Sequence, residues 1–256
     1  MTEISRPSDS LYFQKKSRRA ALHATGLLII TLPLGVMMSF MIAQGAGASR
    51  PEAAALLTAG LSTFGAALVV YGLLNRHGFP HDRLGLCNII TLSRGVGIAV
   101  MAGLVLAPVS QLGWALVVMS GVLLALDGVD GWAARRARLQ SQFGARLDVE
   151  TDVAFAFTLA ALAVALGQVG IWFLALGLLR PTYLLAGRFW PALRAPLPDA
   201  TWRKRMAAVQ MTVQVALLAP ILTPPVTMWM GATLLSAMVI SFSVDIRSQL
   251  RRNMSS

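Results

Sequence analysis

The sequence predicts an all-α integral membrane protein with eight transmembrane helices, and three observations predict it. Of 256 residues, 56% are hydrophobic and only 13% charged, against about 25% charged in an ordinary soluble domain. The mean hydropathy is +0.65. The apolar residues gather in continuous runs of roughly 20, the length a helix needs to cross a hydrocarbon core. The basic residues stand at the ends of these runs, which is how membrane topology is written. Helices are the element such runs imply, because an isolated strand leaves backbone groups unsatisfied in lipid and barrel strands alternate in polarity.

The runs lie at about 20–43, 53–74, 89–108, 112–130, 148–167, 170–189, 207–223 and 226–244. The first begins after about 20 polar residues and lacks a convincing cleavage site, so it reads as a retained helix rather than a signal peptide. No Gly/Ser- or Pro-rich linker and no internal repeat divides the chain, which favours a single helical bundle. With the N-terminus in the cytoplasm, one side collects Arg6, Lys15, Lys16, Arg18, Arg19, Arg76, Arg83, Arg135, Arg136, Arg138, Arg146, Arg188, Arg194, Arg203, Lys204, Arg205, Arg247, Arg251 and Arg252. The opposite loops hold little beyond Arg50, so both termini are expected inside, in a bacterial inner membrane. Only Arg94 and Arg180 fall within runs.

The net charge of +11 excludes nothing by its size, but its placement does. A nucleic-acid binder shows basic stripes on a polar folded surface, and here the charge marks span ends, so no nucleic-acid partner is expected. Cys87 is the only cysteine, so no intrachain disulfide forms; a small buried apolar role suits it.

Against this background, residues 126–152 stand out, with five of the eleven acidic residues: Asp127, Asp130, Asp148, Glu150 and Asp152. Carboxylates at the edge of a hydrocarbon layer are costly unless something neutralises them. Helical residues three and four apart share a face, so Asp127, Asp130, Gly131 and Ala134 form one stripe at the end of the fourth span. Asp148 and Asp152 form a matching stripe at the start of the fifth, while Glu150, about 200° round from Asp148, looks elsewhere. Four aspartates from two adjacent helices can then converge on a small volume. Such a cluster is tolerable when cations occupy it, and oxygen ligands suit Mg2+ or Mn2+. Two such ions can clamp a diphosphate and assist in-line displacement at phosphorus. Gly131 and Ala134 leave the aspartate face bare, Gly144 is expected to relieve the turn into the fifth span, and Arg135 and Arg138 supply charge for phosphate oxygens. A solvated basic loop with counter-charges accounts for Arg136 and Arg146, but not for four inward-facing aspartates.

Asp127, Asp130, Gly131, Ala134, Arg135, Gly144, Asp148 and Asp152 stand in the spacing D-x2-D-G-x2-A-R-x8-G-x3-D-x3-D. That pattern resembles the CDP-alcohol phosphatidyltransferase family, as do Asn88, Thr91 and Arg94, which look like the Asn-x2-Thr-x2-Arg start of the family's first core helix. The resemblance implies a six-helix catalytic core over 86–247, preceded by a cytoplasmic segment at 1–19 and two additional helices with their loop at 20–85, and followed by a cytoplasmic tail at 248–256. It implies transfer of a phosphatidyl group from CDP-diacylglycerol to the hydroxyl of a small polar alcohol, phosphorylated or not, with release of CMP. Asp127, Asp130 and Asp148 would hold two divalent metals, and Asp152 would bind a metal and act as general base. Gly131, Ala134 and Arg135 would contact the cytidine diphosphate, with Asn88 and Thr91 nearby. A homodimer is implied as well.

For the acceptor, Arg180 and Arg188, eight residues apart, resemble two arginines of the phosphatidylglycerophosphate synthase branch that look to bind the acceptor's phosphate. Pro181 departs from the neighbours expected there and is expected to kink the helix. That branch usually reads Asp-Pro-x-Ala-Asp-Lys around its third and fourth aspartates, where this chain has "DVETD" followed by Val153. The phosphatidylserine and phosphatidylinositol branches typically carry Asp-Ser there, which is also lacking. A structural pairing of Arg180 with a helix carbonyl or acid is the competing reading.

Other signals carry less. His77 and His81 have a metal-ligand spacing, but Gly78 and Pro80 between them argue for a plain loop. Gly95 and Gly97 do not complete a phosphate-binding loop and read as helix-packing sites. The basic segment 201–205 reads as a positive-inside anchor, or as a lure for anionic lipid or substrate phosphate. A catalytically silent scaffold that keeps the fold is disfavoured by the intact set of four aspartates, and two rival functions remain. A CDP-linked small alcohol can serve as donor with diacylglycerol as acceptor. In a different class, a cation-coupled transporter would line a path with acids, but it predicts carboxylates near mid-bilayer rather than at span ends beside arginines.

Overall fold

The computed structural model of the protein describes residues 7–75, 84–108, 110–137, 142–190 and 201–254. Among the described residues every regular element is helical. In chain order the α-helices are α1 (Pro7–Gly45), α2 (Pro51–Asn75), α3 (Leu86–Leu104), α4 (Gly113–Ala137), α5 (Gln142–Ala165), α6 (Ala175–Phe189), α7 (Thr201–Ala216) and α8 (Val226–Met254). Short 3-10 turns precede α4 at Ser110–Leu112 and α6 at Ile171–Leu174. Helix α2 begins with a proline, whose missing N–H costs nothing at a first helical position, and Glu52 complements the helix dipole there. Helices α1 and α5 end alike. Gly47 and Gly167 adopt φ of +77° and +71°, and the amides of Ala48 and Gln168 reach back to the carbonyls of Ala43 and Ala163 at 2.9 and 3.0 Å. A glycine in the left-handed region closes a helix in this way because a Cβ there is strained.

The chain divides into two compact units, 1–107 with 118–152 and 108–117 with 153–256, so the boundary passes through α4 and α5. The core of the first unit is built from Ala20, Ala21 and Ala24 of α1, Val69 and Leu73 of α2, and Leu84 and Leu92. Phe143 and Leu147 of α5 pack against this core, anchoring the first turns of α5 beside α3. Close approaches lock the helices together. A Cβ on Gly103 would strike the Thr58 hydroxyl and the Ala54 carbonyl of α2, and the Thr58 hydroxyl itself lies 2.9 Å from the Ala54 carbonyl and 3.3 Å from that of Ala99. A Cβ on Gly97 would come within 2.8 Å of Leu123 Cδ2 on α4. Gly97 is thus the packing glycine expected, whereas a Cβ on Gly95 would meet nothing within 4 Å.

In the second unit buried polar groups join helices. Gln214 of α7, fully buried, donates from Nε2 to the Ala156 carbonyl of α5 at 2.8 Å. Thr227 at the start of α8 donates to the Gln168 carbonyl at 2.6 Å, and the Tyr183 hydroxyl of α6 pairs with Gln249 Oε1 of α8. Such bonds replace water where lipid offers none.

Large apolar side chains point outward along the helices, among them Ile29, Leu56, Phe64, Val118, Trp229 and Ile240. That is the surface of a protein solvated by lipid rather than water. Among the described residues, five stretches are long and apolar enough to cross a membrane: Lys16–Gly45, Pro51–Asn75, Leu86–Leu104, Ser110–Val129 and Val226–Gln249. The other three runs fall short, each for a physical reason. Helix α5 carries Asp148, Glu150 and Asp152 in its first half. Helix α6 has 15 residues, about 22 Å at 1.5 Å per residue, against a hydrocarbon core of about 30 Å. Helix α7 carries Arg203, Lys204 and Arg205 near its start and ends at Ala216, short of the expected 223, because Pro220, Pro224 and Pro225 oppose its continuation.

Candidate metal and CDP-alcohol site

Three of the four aspartates predicted to share a site, Asp127, Asp148 and Asp152, come together around a residue from a third helix. Arg94 lies on α3 with its side chain fully buried. Its Nη1 is 2.6 Å from Asp127 Oδ1 of α4 and 3.2 Å from Asp148 Oδ1 of α5, and its Nη2 is 2.9 Å from Asp152 Oδ1. The local reasons are those of the packing. Gly97, one turn beyond Arg94, lets α3 close on α4 at Leu123, one turn before Asp127. Phe143 and Leu147 hold the start of α5 on the same core, and Asp148 follows immediately.

The carboxylates of Asp127, Asp148 and Asp152 each offer an oxygen within 4.8 Å of the others. Their side chains are 37%, 43% and 32% exposed, so the cluster opens outward from a closed floor formed by Arg94. Three hard anionic oxygen donors so near each other, with one face accessible, are a donor set suited to Mg2+ or Mn2+. The residues therefore fit divalent ions. Glu150, exposed on α5, takes no part, as its angular position predicted.

Of the other expected residues, Asn88 and Thr91 are buried on α3, at three-residue intervals before Arg94, and the Thr91 hydroxyl donates to the Cys87 carbonyl at 2.9 Å. The backbone of α4 runs through Asp130, Gly131, Ala134 and Arg135, whose side chains lie outside the described residues. Arg138 also lies outside them, as do His77 and His81. Gly144 was expected to ease a turn into the fifth span; it is instead the third residue of α5, so the helix has already begun. Arg180 and Arg188 are both exposed on α6, in the second unit, and the helix runs on through Pro181.

Reading along the sequence missed Arg94 as part of the cluster. The signal was present: an arginine inside an apolar run has to find counter-charge, and acids at neighbouring span ends were its available partners.

The described residues thus form helices with apolar outward faces, and three aspartates gather at the ends of two of them. A family model described as CDP-alcohol phosphatidyltransferase matches residues 84–242, more than half of the chain, and the protein belongs to that family. It is accordingly a transferase of phospholipid biosynthesis. Neither a search of curated proteins nor one of solved structures returned a match.

Proposed function

We propose that the protein transfers a phosphatidyl group from CDP-diacylglycerol to the hydroxyl of a small polar alcohol, releasing CMP. The observation that carries this reading is the gathering of Asp127, Asp148 and Asp152, the first, third and fourth aspartates of one motif, around Arg94, with oxygens within 4.8 Å. Asp127, Asp130 and Asp148 hold two divalent ions, and Asp152 serves both as a ligand and as the base. When bound, the ions supply Lewis-acid neutralisation of the charge that develops on the phosphorus oxygens.

The chain's own groups do the rest. The Asp152 carboxylate takes the proton of the acceptor hydroxyl as its oxygen forms the new bond to the phosphorus that carries diacylglycerol. The bond from that phosphorus to the bridging anhydride oxygen breaks, and CMP leaves with the electron pair. Gly131, Ala134 and Arg135, with Asn88 and Thr91, hold the cytidine diphosphate. Arg180 and Arg188 receive the acceptor, which favours a phosphorylated alcohol.

The catalytic core is 86–247, a reading supported by the family match over 84–242. Eight spans with both termini in the cytoplasm follow from the distribution of Lys and Arg. The 3-10 turn Ile171–Leu174 adds about 8 Å to α6, bringing that rod to about 30 Å, enough for a sixth crossing. The active protein is a homodimer. The test is mass spectrometry of the lipid formed from CDP-diacylglycerol and an acceptor labelled with 18O at its hydroxyl. Label retained in a new phospholipid supports the reaction. Lipid formed only from a CDP-linked small alcohol and diacylglycerol would reverse donor and acceptor.

A further inference from the structure

We propose that Arg94 is the positioning residue of the divalent-ion site: its guanidinium fork sets the spacing of the Asp127, Asp148 and Asp152 carboxylates from behind. This rests on reading the cluster as a metal site. Three features of the structure carry it.

The first is the number and origin of the contacts. One pair of Nη atoms on α3 reaches an acid on α4 and two acids a turn apart on α5, at 2.6, 3.2 and 2.9 Å. A planar fork with fixed donors dictates where its acceptors sit, whereas a lysine ammonium at the same place is a point charge that does not. The second is burial. Arg94 is 0% exposed while its three partners are roughly two-fifths to one-third exposed, so the guanidinium lies on the closed side. A group so enclosed does not reach a donor or acceptor arriving from outside, and it acts through the carboxylates it holds. The third is stoichiometry. Each of these three ion pairs uses Oδ1, and a carboxylate has a second oxygen and about four lone-pair sites in all, so these pairs leave ligand capacity on each aspartate. Arg94 also reduces the charge of the three acids from −3 to −2, easing the repulsion among oxygens 4.8 Å or less apart.

The experiment is Mn2+ binding to the purified full-length protein, followed by electron paramagnetic resonance of free Mn2+, for the unmutated chain, Arg94→Lys and Arg94→Gln. Helicity and monodispersity are checked first. Both folded variants are expected to bind Mn2+ at least tenfold more weakly, and the Mn2+ concentration giving half-maximal CMP release should rise by a similar factor. A merely structural role would lower the yield of folded protein and leave the affinity of the folded fraction unchanged. Folded Arg94→Lys with unmutated affinity would overturn the proposal, since charge alone would then suffice. Tighter binding would also overturn it, by showing that the guanidinium competes for ligand oxygens. If neither variant folds, spin-echo spectra of Mn2+ on the unmutated chain carrying 15N-arginine decide, with 15N modulation expected and its absence fatal. Failure of the underlying reading looks different: the unmutated chain itself, or Asp148→Asn beside it, would show no specific Mn2+ binding to lose.

Discussion

Replacing Gly97 should disturb the carboxylate cluster from one helical turn away. A Cβ at this position would lie 2.8 Å from Leu123 Cδ2 and 3.6 Å from Cδ1. Carbon atoms prefer about 3.5–4.0 Å, so the overlap is about 1 Å. In Gly97→Ala the Leu123 side chain can turn aside, at about 0.5–1.5 kcal/mol for an off-rotamer torsion. In Gly97→Leu the added carbons have nowhere to go except by prising α3 from α4, at about 1–3 kcal/mol. Arg94 and Asp127, 2.6 Å apart, sit one turn along on the same two helices and should separate with them. A misplacement of about 1 Å in a catalytic constellation costs on the order of 100-fold in rate. Gly97→Ala is therefore expected to keep most of its activity, and Gly97→Leu to lose about 100-fold in metal-dependent CMP release while remaining helical by circular dichroism. Leu123→Ala should return part of the activity to Gly97→Leu, because it removes the atoms in collision. A folded Gly97→Leu protein with unmutated activity would refute the claim that this contact sets the site.

Other perturbations have separate consequences. Asp127→Asn removes a charged partner from the buried Arg94, and thermal unfolding in detergent should show a loss of about 1–3 kcal/mol, well short of a lone buried arginine because Asp148 and Asp152 remain. Gln214→Leu breaks the bond to the Ala156 carbonyl, and the loss of stability should be about 0.6 kcal/mol and no more than about 1.7, the average and the maximum for such bonds in a membrane bundle; an effect several times larger would assign Gln214 a different role. Chelation with EDTA should abolish CMP release, and added Mg2+ or Mn2+ should restore it; activity that survives thorough chelation would sink the metal reading.

How much of this was legible along the chain follows from the range over which each signal acts. Helical class and membrane setting came from composition and from apolar runs, which are local and redundant. Asp127, Asp148 and Asp152 were legible because spacing along each helix puts the acids on one face, and the eight fixed positions of the motif lie close together in sequence. Arg94 was not, because its partners lie 33 to 58 residues away on two other helices, and helical periodicity speaks only of one helix at a time. Helix ends were misjudged where backbone chemistry overrode hydropathy. Apolar residues 217–223 looked like the continuation of a span, but the prolines from Pro220 onward end α7 at Ala216. Gly144 looked like a turn residue, but the packing of Phe143 on the first unit's core starts α5 before it.

The most direct measurement is acceptor-dependent CMP release by the purified protein with CDP-diacylglycerol and Mn2+ or Mg2+. Glycerol 3-phosphate, inositol phosphate, serine and choline are offered separately, beside Asp152→Asn. CMP that appears with one acceptor, requires the metal and vanishes in Asp152→Asn is the predicted result. A folded, metal-loaded protein that releases no CMP from CDP-diacylglycerol or from CDP-linked small alcohols would contradict the account.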